Sequence, residues 1–208
     1  MCNYVVLDLE MCRVFNNTDL RNEIIQIGAV CLDENYNIID SFMRYVSPKY
    51  GFIDKEIRRL TGITNKDIKN KDSIDKVLKE FFDWYPKDSI FVTWSDSDEI
   101  QIKLETSFKN INIEQLDNIE WIDCQKMFSK RIQNERQYAL SEALKISNIF
   151  LDEREHDALA DAINTAGLYK KLVTEKEFNV NKYYYNEYEI ERSTYNPFED
   201  LLKNYKVV

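Results

Sequence analysis

The chain has 208 residues, which is enough for one domain with a sizeable core but not for a second full domain. Its net charge of −9 argues against a basic face that coats a nucleic-acid duplex. The sequence has no apolar run of about eighteen residues and no signal-peptide pattern, so we expect neither a membrane partner nor secretion. The four cysteines lack the spacing of a zinc site, which predicts free thiols in a reducing cytoplasm.

Apolar periodicity and turn residues predict five strands and six helices before residue 174. The predicted strands cover 3–9, 24–33, 37–46, 89–94 and 119–122. The predicted helices cover 53–60, 73–85, 96–108, 123–133, 138–147 and 157–173. The link at 33–37 is too short for a crossover, so strands two and three should be antiparallel. The sequence therefore predicts an α/β domain with one five-stranded mixed sheet flanked by helices.

The last 35 residues differ in composition from the rest, since they hold six of the thirteen tyrosines among Glu, Asn and Lys. No clean periodicity occurs there until Pro197, which could begin one short helix. We therefore expect residues 1–173 to form the domain and residues 174–208 to form a Tyr-rich appendage packed on it.

Two acids end the first predicted strand. Asp8 and Glu10 are two residues apart, so on a strand they face the same side while Leu9 faces the core. Two carboxylates this close favour a hard cation such as Mg²⁺ or Mn²⁺. A lone pair with this spacing is nevertheless more often two solvated acids.

Acids also follow the fourth predicted strand, where loops of an open α/β sheet carry function. Asp96 and Asp98 come directly after Trp94 and Ser95, and either acid could instead cap the next helix. Spacing alone does not choose between them.

The segment His156 to Ala162 (HDALADA) contains the only histidine of the chain. A histidine among acids is a candidate general base, although a lone histidine is more often structural. Five residues of helix turn through about 500°, so His156 and Asp161 share a site only if His156 precedes the helix. Asp157 would then be the N-cap, and Asp161 would point inward from the first turns.

The joint order of these motifs resembles that of the DEDDh exonucleases, the DnaQ-like branch of the ribonuclease H-like superfamily. The resemblance extends over residues 3–173. Within the family, the sequence is most similar to KapD-like and histone-mRNA 3′-exonuclease-like proteins. Three further segments resemble family motifs: Glu23 to Ala29 (EIIQIGA), Leu60 to Thr64 (LTGIT) and Tyr138 to Ser141 (YALS).

This resemblance implies a ribonuclease H-like fold and a 3′–5′ exonuclease that releases nucleoside monophosphates from single-stranded RNA or DNA 3′ ends, with RNA favoured. It implies two Mg²⁺ or Mn²⁺ ions held by four acids, together with a histidine base. The implied catalytic residues are Asp8, Glu10, Asp98, His156 and Asp161. Bound cations would offset the acidic composition where a phosphate approaches.

The residues that flank these acids are the predicted substrate contacts: Leu9, Met11 and Trp94. Met11 and loop 13–22 are the candidate stacking surface for the terminal base. Many family members have Thr or Ser at the position of Met11 and Gly at the position of Ser95, which leaves the preferred sugar and base open.

Two other functions stay open: a DNA proofreading or accessory exonuclease in a larger assembly, and an inactive nucleic-acid-binding module. Retention of five clustered polar groups argues against the inactive module, because burying them costs free energy. The oligomeric state does not follow from the sequence.

Overall fold

The computed structural model describes residues 2–15, 19–149 and 156–186. Its five strands form one sheet in the order β3-β2-β1-β4-β5. The strands are β1 (Tyr4–Arg13), β2 (Asn22–Leu32), β3 (Ile38–Tyr45), β4 (Ile90–Thr93) and β5 (Trp121–Asp123). β1, β2 and β3 pair antiparallel, whereas β1, β4 and β5 pair parallel. The predicted five-stranded mixed sheet is confirmed.

Seven helices flank the sheet within the described part of the chain. They are α1 (Lys55–Thr61), α2 (Asn65–Ile68), α3 (Ile74–Trp84), α4 (Ser97–Lys109), α5 (Cys124–Arg131), α6 (Leu140–Ile146) and α7 (Ala158–Thr174). The sequence did not predict α2 or a 3-10 turn at Glu114–Asn118, because both are shorter than two helical turns and so show no repeated amphipathic pattern. The other helices match their predicted positions to within a few residues.

Local turn chemistry explains several boundaries. The Asp33 carboxylate accepts the backbone N–H groups of Asn35 and Asn37, which closes the predicted hairpin between β2 and β3. Gly62 ends α1 with a φ of 70°, a left-handed conformation that glycine adopts without strain.

The two faces of the sheet carry separate cores. Val5, Leu7 and Leu9 of β1 point to the face covered by α3 and α4. Val6 points to the opposite face, which α5, α6 and α7 cover. This alternation follows from the two-residue period of a strand. It puts Leu9 in the core, as predicted, and leaves Asp8 and Glu10 on the other side of β1.

The chain beyond α7 continues along the second face. Phe178, Val180, Tyr184 and Tyr185 pack against the core cluster on that side. The predicted helix at Pro197 and most of the Tyr-rich segment lie outside the described residues, so the division at residue 174 stays a prediction. None of the described helices is both long and apolar enough to cross a membrane. All four cysteines are described, and each is a free thiol.

Candidate active site

β1 positions the first two acids. It is four residues longer at its C-terminal end than predicted, because β2 pairs with it as far as Arg13. Its parallel partner β4 stops at Thr93, which lies opposite Leu7. Beyond Leu7, therefore, β1 has a neighbouring strand on one side only. Asp8 and Glu10 lie at this opening.

The third acid comes from the first turn of α4. Asp98 is only 5% exposed, and its carboxylate accepts the backbone N–H of Leu9. Its charge acts on Asp8, which places Asp98 beside the β1 acids. Asp96 instead occupies the N-cap position of α4, and its exposed carboxylate accepts the Lys126 ammonium at 2.8 Å. The structure thus brings Asp98, and not Asp96, to the β1 acids.

The close approach of α7 to β2 brings in the fourth acid. A Cβ added to Gly28 would lie 2.2 Å from the backbone carbon of Ala158, so only glycine allows this packing. Gly28 is paired with Asp8 across the sheet. The first turn of α7 therefore rests on β2 beside Asp8, and Asp161 is near enough for its charge to act on Asp8 and Glu10.

Gln26 holds the start of α7 in place. This fully buried residue lies opposite Glu10 in the β1–β2 register. Its amide nitrogen donates to Asp157 at 3.2 Å, and its amide oxygen accepts the N–H of Ala158 at 3.1 Å. Asp157 is the N-cap, as predicted, and accepts the N–H of Ala160. The sequence places Gln26 only within the EIIQIGA segment, because no sequence pattern shows which distant residues a strand side chain contacts.

His156 lies in a turn before α7, as the spacing required. Its φ of 62° is left-handed, and its backbone N–H donates to the Asp161 carboxylate at 3.0 Å. The side chain is exposed to solvent. Ligand-type atoms of Glu10, His156 and Asp161 all lie within 4.8 Å of one another. These three residues could hold a metal ion.

The acids strongly perturb one another. Burial, followed by the charges of Asp98, Asp161 and Glu10, raises the pKa of Asp8 well above its usual range. Burial and neighbouring acids raise the pKa of Glu10 to about 8. Burial raises the pKa of Asp98 to about 7, although the Leu9 N–H acts in the opposite direction. Bringing a divalent cation to these oxygens would relieve the repulsion, so the donor set fits a hard metal ion.

A cleft of about 440 Å³ opens over the acids. Of the predicted substrate contacts, Leu9 and Trp94 line it, whereas Met11 does not. Trp94 is only 9% exposed, and its indole N–H donates to the carbonyl of Tyr138 at 3.2 Å, so it supports the cleft wall. Part of loop 13–22 lies outside the described residues. The lining also includes Tyr138, Ala139 and Leu140 from the family-like YALS segment, together with Gln125 and Gln137, which the sequence analysis did not single out.

The family model named Exonuclease (RNase_T) matches residues 5–169, which overlaps every strand and includes all the acids described above. The chain belongs to the exonuclease family. Membership confirms the predicted family and the predicted enzyme class, a nuclease of the exonuclease type. Divalent metal ions are typical of this family, in agreement with the oxygen-rich donor set.

Individual relatives agree with this assignment. The exonuclease chain is 31% identical over 172 residues to a protein from Listeria welshimeri called DNA polymerase III PolC-type. It is 29% identical over 196 residues to ERI1 exoribonuclease 2 from Danio rerio. Each match covers 82% of this chain. The chain spans only 11% of the first relative's length and 35% of the second's.

A solved structure shows the same fold. The crystal structure of the nuclease domain of 3′hExo, described as a DEDDh family member bound to rAMP, superimposes with a TM-score of 0.69 at 21% identity. The alignment covers 86% of this exonuclease chain and 96% of the 3′hExo domain. The predicted ribonuclease H-like architecture is confirmed by this superposition together with the sheet order.

Proposed function

We propose that this exonuclease hydrolyses single-stranded nucleic acid from the 3′ end, releases nucleoside monophosphates and prefers RNA to DNA. The observation that carries the proposal is the convergence of Glu10, His156 and Asp161 within 4.8 Å in an open cleft. Asp8 lines the same cleft, and Asp98, which is outside the lining, is near enough for its charge to act on Asp8 and Glu10. Paired carboxylates and an imidazole are the groups that metal-assisted phosphodiester hydrolysis needs.

Asp8, Glu10, Asp98 and Asp161 would hold the metal, as two Mg²⁺ or Mn²⁺ ions. When bound, these ions polarise the scissile phosphate and stabilise the charge that develops on the leaving oxygen. Asp8 is central to the set, because its pKa responds to the charges of the other three acids. The N–H of Leu9 orients Asp98, and the N–H of His156 orients Asp161, so both carboxylates are held for ligation.

His156 acts as the general base. An imidazole nitrogen takes the proton of the attacking water, whose oxygen forms a bond to phosphorus as the bond to the 3′-oxygen of the preceding nucleotide breaks. The leaving 3′-oxygen takes a proton from solvent, so the products are a nucleoside 5′-monophosphate and a strand shorter by one residue with a free 3′-hydroxyl. Solvent exposure of His156 suits this role, because the proton must afterwards leave the imidazole. The turn that carries His156 is held by Asp161 on one side and by the Gln26–Asp157 hydrogen bond on the other.

The names of two relatives support RNA. ERI1 exoribonuclease 2 is named for activity on RNA, and the 3′hExo nuclease domain was crystallised with rAMP. A cleft of about 440 Å³ lies in the range of small-molecule sites and suits one terminal nucleotide. Leu9 and Trp94 border this space, and Met11 stays a contact proposed from the sequence alone.

A second candidate function is a DNA proofreading exonuclease that works within a larger assembly. The observation that favours it is the 31% identity to the PolC-type DNA polymerase III, of which this chain matches 11%. An inactive binding module would keep the cleft but release no nucleotide.

Matched RNA and DNA strands, labelled at the 5′ end and incubated with Mg²⁺, Mn²⁺ or EDTA, test the proposal. We expect a ladder that shortens from the 3′ end with either metal, faster for RNA, and no products in EDTA. A faster DNA ladder would favour the proofreading function. Binding without products would indicate the inactive module, and cleavage of a circular single strand or full activity in EDTA would contradict the metal-dependent exonuclease mechanism.

A further inference from the structure

A groove of about 580 Å³ runs beside the cleft, between α5 and the segment that leads to α6. The two share Gln125 and Gln137 in their linings, so the groove adjoins the cleft. Two other surface grooves, near residues 47–50 and 111–115, share no lining residue with the cleft. A molecule that enters the first groove therefore extends directly from the candidate active site.

Basic side chains border this groove, although the chain as a whole is acidic. Residues 125–137 contain four basic residues and one acidic residue, whereas the net charge of the chain is −9. A cation in the groove that has no acidic partner can contact a strand phosphate and leaves the acids of the cleft to the metal.

The basic side chains of the groove are not equally available. Lys126 is paired with Asp96 and Asp123 at 2.8 Å each, and Arg136 is paired with Glu142 at 2.7 Å. Lys130 is exposed and forms no ion pair with any residue in the part of the chain that the structure describes. Lys130 is thus the cation most able to exchange water for a phosphate oxygen.

Neutral polar groups supply the rest of the lining. Ser129, Gln133, Asn134 and Gln137 border the groove, and the side chains of Gln133 and Gln137 are exposed. Amides and hydroxyls both donate and accept hydrogen bonds, which matches the mixed oxygens of a sugar-phosphate backbone. Within the described part of the chain no aromatic residue lines the groove, so its described lining suits contact with a backbone and not the stacking of bases.

We infer that this groove binds the sugar-phosphate backbone of the strand upstream of the scissile bond, with one phosphate against Lys130. The inference rests on the proposed function, since it assumes that the 3′-terminal nucleotide occupies the cleft. It predicts that the enzyme recognises several nucleotides upstream of the bond that it cuts, without reading their bases.

The test compares Lys130→Glu with Lys87→Glu, a matched charge reversal at an exposed lysine outside the groove. The substrates are a nitrophenyl ester of a nucleoside 5′-monophosphate, which fills only the cleft, and single strands lengthened one nucleotide at a time. For wild type and Lys87→Glu, kcat/KM should rise with strand length until the groove is filled. For Lys130→Glu, the ratio of long-strand to ester kcat/KM should fall by about three- to tenfold at low salt. The dependence of strand binding on salt should become shallower by about one phosphate contact.

The outcomes separate this inference from the proposed function. If wild type hydrolyses neither the ester nor any strand, the proposed function fails. If wild type is active but Lys130→Glu keeps the length dependence and salt dependence of Lys87→Glu, the groove does not bind the strand. Circular dichroism of both variants checks that the substitutions leave the fold intact.

Discussion

Asp96 and Asp98 are two residues apart at the start of α4, yet their surroundings are opposite. Asp98 is buried beside Asp8, whereas Asp96 is exposed and paired with Lys126. Asp98→Asn should therefore lower kcat by at least about a hundredfold, because the proposed metal ligand loses its charge. Asp96→Asn should change kcat by less than about threefold, because an exposed ion pair contributes little. Single-turnover hydrolysis of a 3′-terminal nucleotide measures both, and the reverse ranking would show that Asp98 is not a ligand.

His156 is the second residue whose role a substitution can isolate. A positioned base contributes about 10²–10⁴-fold, so His156→Ala should lower kcat by that factor and leave metal binding largely unchanged. The variant should recover part of the loss at high pH, where hydroxide replaces the missing base. Rate against pH for wild type and variant is the measurement, with Mg²⁺ affinity as the control. An unchanged kcat, together with an unchanged fall of the rate toward acid pH, would mean that His156 is only structural.

At the scale of elements, a buried ion network ties β2 to α4. Glu23 and Glu105 are fully buried, and both carboxylates accept the ammonium of Lys109, which is only 9% exposed. Glu23 also accepts the backbone N–H groups of Lys49 and Tyr50, and these contacts lower its pKa. The network joins the C-terminal part of α4 to the start of β2, so it sets how α4 lies against the sheet.

Lys109→Ala should destabilise the fold by about 3–5 kcal/mol, because it leaves two buried carboxylates without their cation. Lys76→Ala is the matched control, since Lys76 pairs with Asp72 at the same helical spacing but with both side chains more than 60% exposed. That variant should change the free energy of unfolding by less than about 0.5 kcal/mol. Urea denaturation measures both values. Equal midpoints for the two variants would show that the buried network contributes no stability.

At the scale of the whole molecule, β1, α4 and α7 bring acids together, and the repulsion between these acids lowers the stability of the metal-free protein. The raised pKa values mean that the folded protein holds protons that the unfolded chain has lost. Stability of the metal-free protein should therefore fall as the pH rises from about 4.5 to about 8, the ordinary and the folded-state pKa of Glu10. Ions bound at the site should remove this loss, because they compensate the charges.

Asp8→Asn tests this at the centre of the cluster. The variant should be inactive but folded, and in EDTA it should lose less stability than wild type over the same pH range, because one buried charge is gone. Mg²⁺ should raise the melting temperature of wild type more than that of the variant. Thermal unfolding with EDTA or Mg²⁺ at several pH values provides the comparison. Identical pH dependence of the two proteins would argue against charge repulsion at Asp8.

Local sequence chemistry determined a large part of this protein. The two-residue period of β1 put Leu9 in the core and Asp8 and Glu10 away from it, and turn residues defined the β2–β3 hairpin. Helical rotation required His156 to precede α7, and Asp157 serves as the N-cap of that helix. These features depend on neighbours along the chain, so a pattern of residue types is sufficient to predict them.

Only the tertiary structure decided which distant groups meet. It brought Asp98, the acid that the family resemblance implied, rather than Asp96 beside Asp8, left Met11 outside the cleft lining and extended β1 through its pairing with β2. It also showed that two hydrogen bonds from Gln26 fix the start of α7, and that a polar groove adjoins the cleft at Gln125. Contacts between residues more than a hundred positions apart are set by how helices pack on the sheet, and neither the composition nor the periodicity of a single segment carries that information.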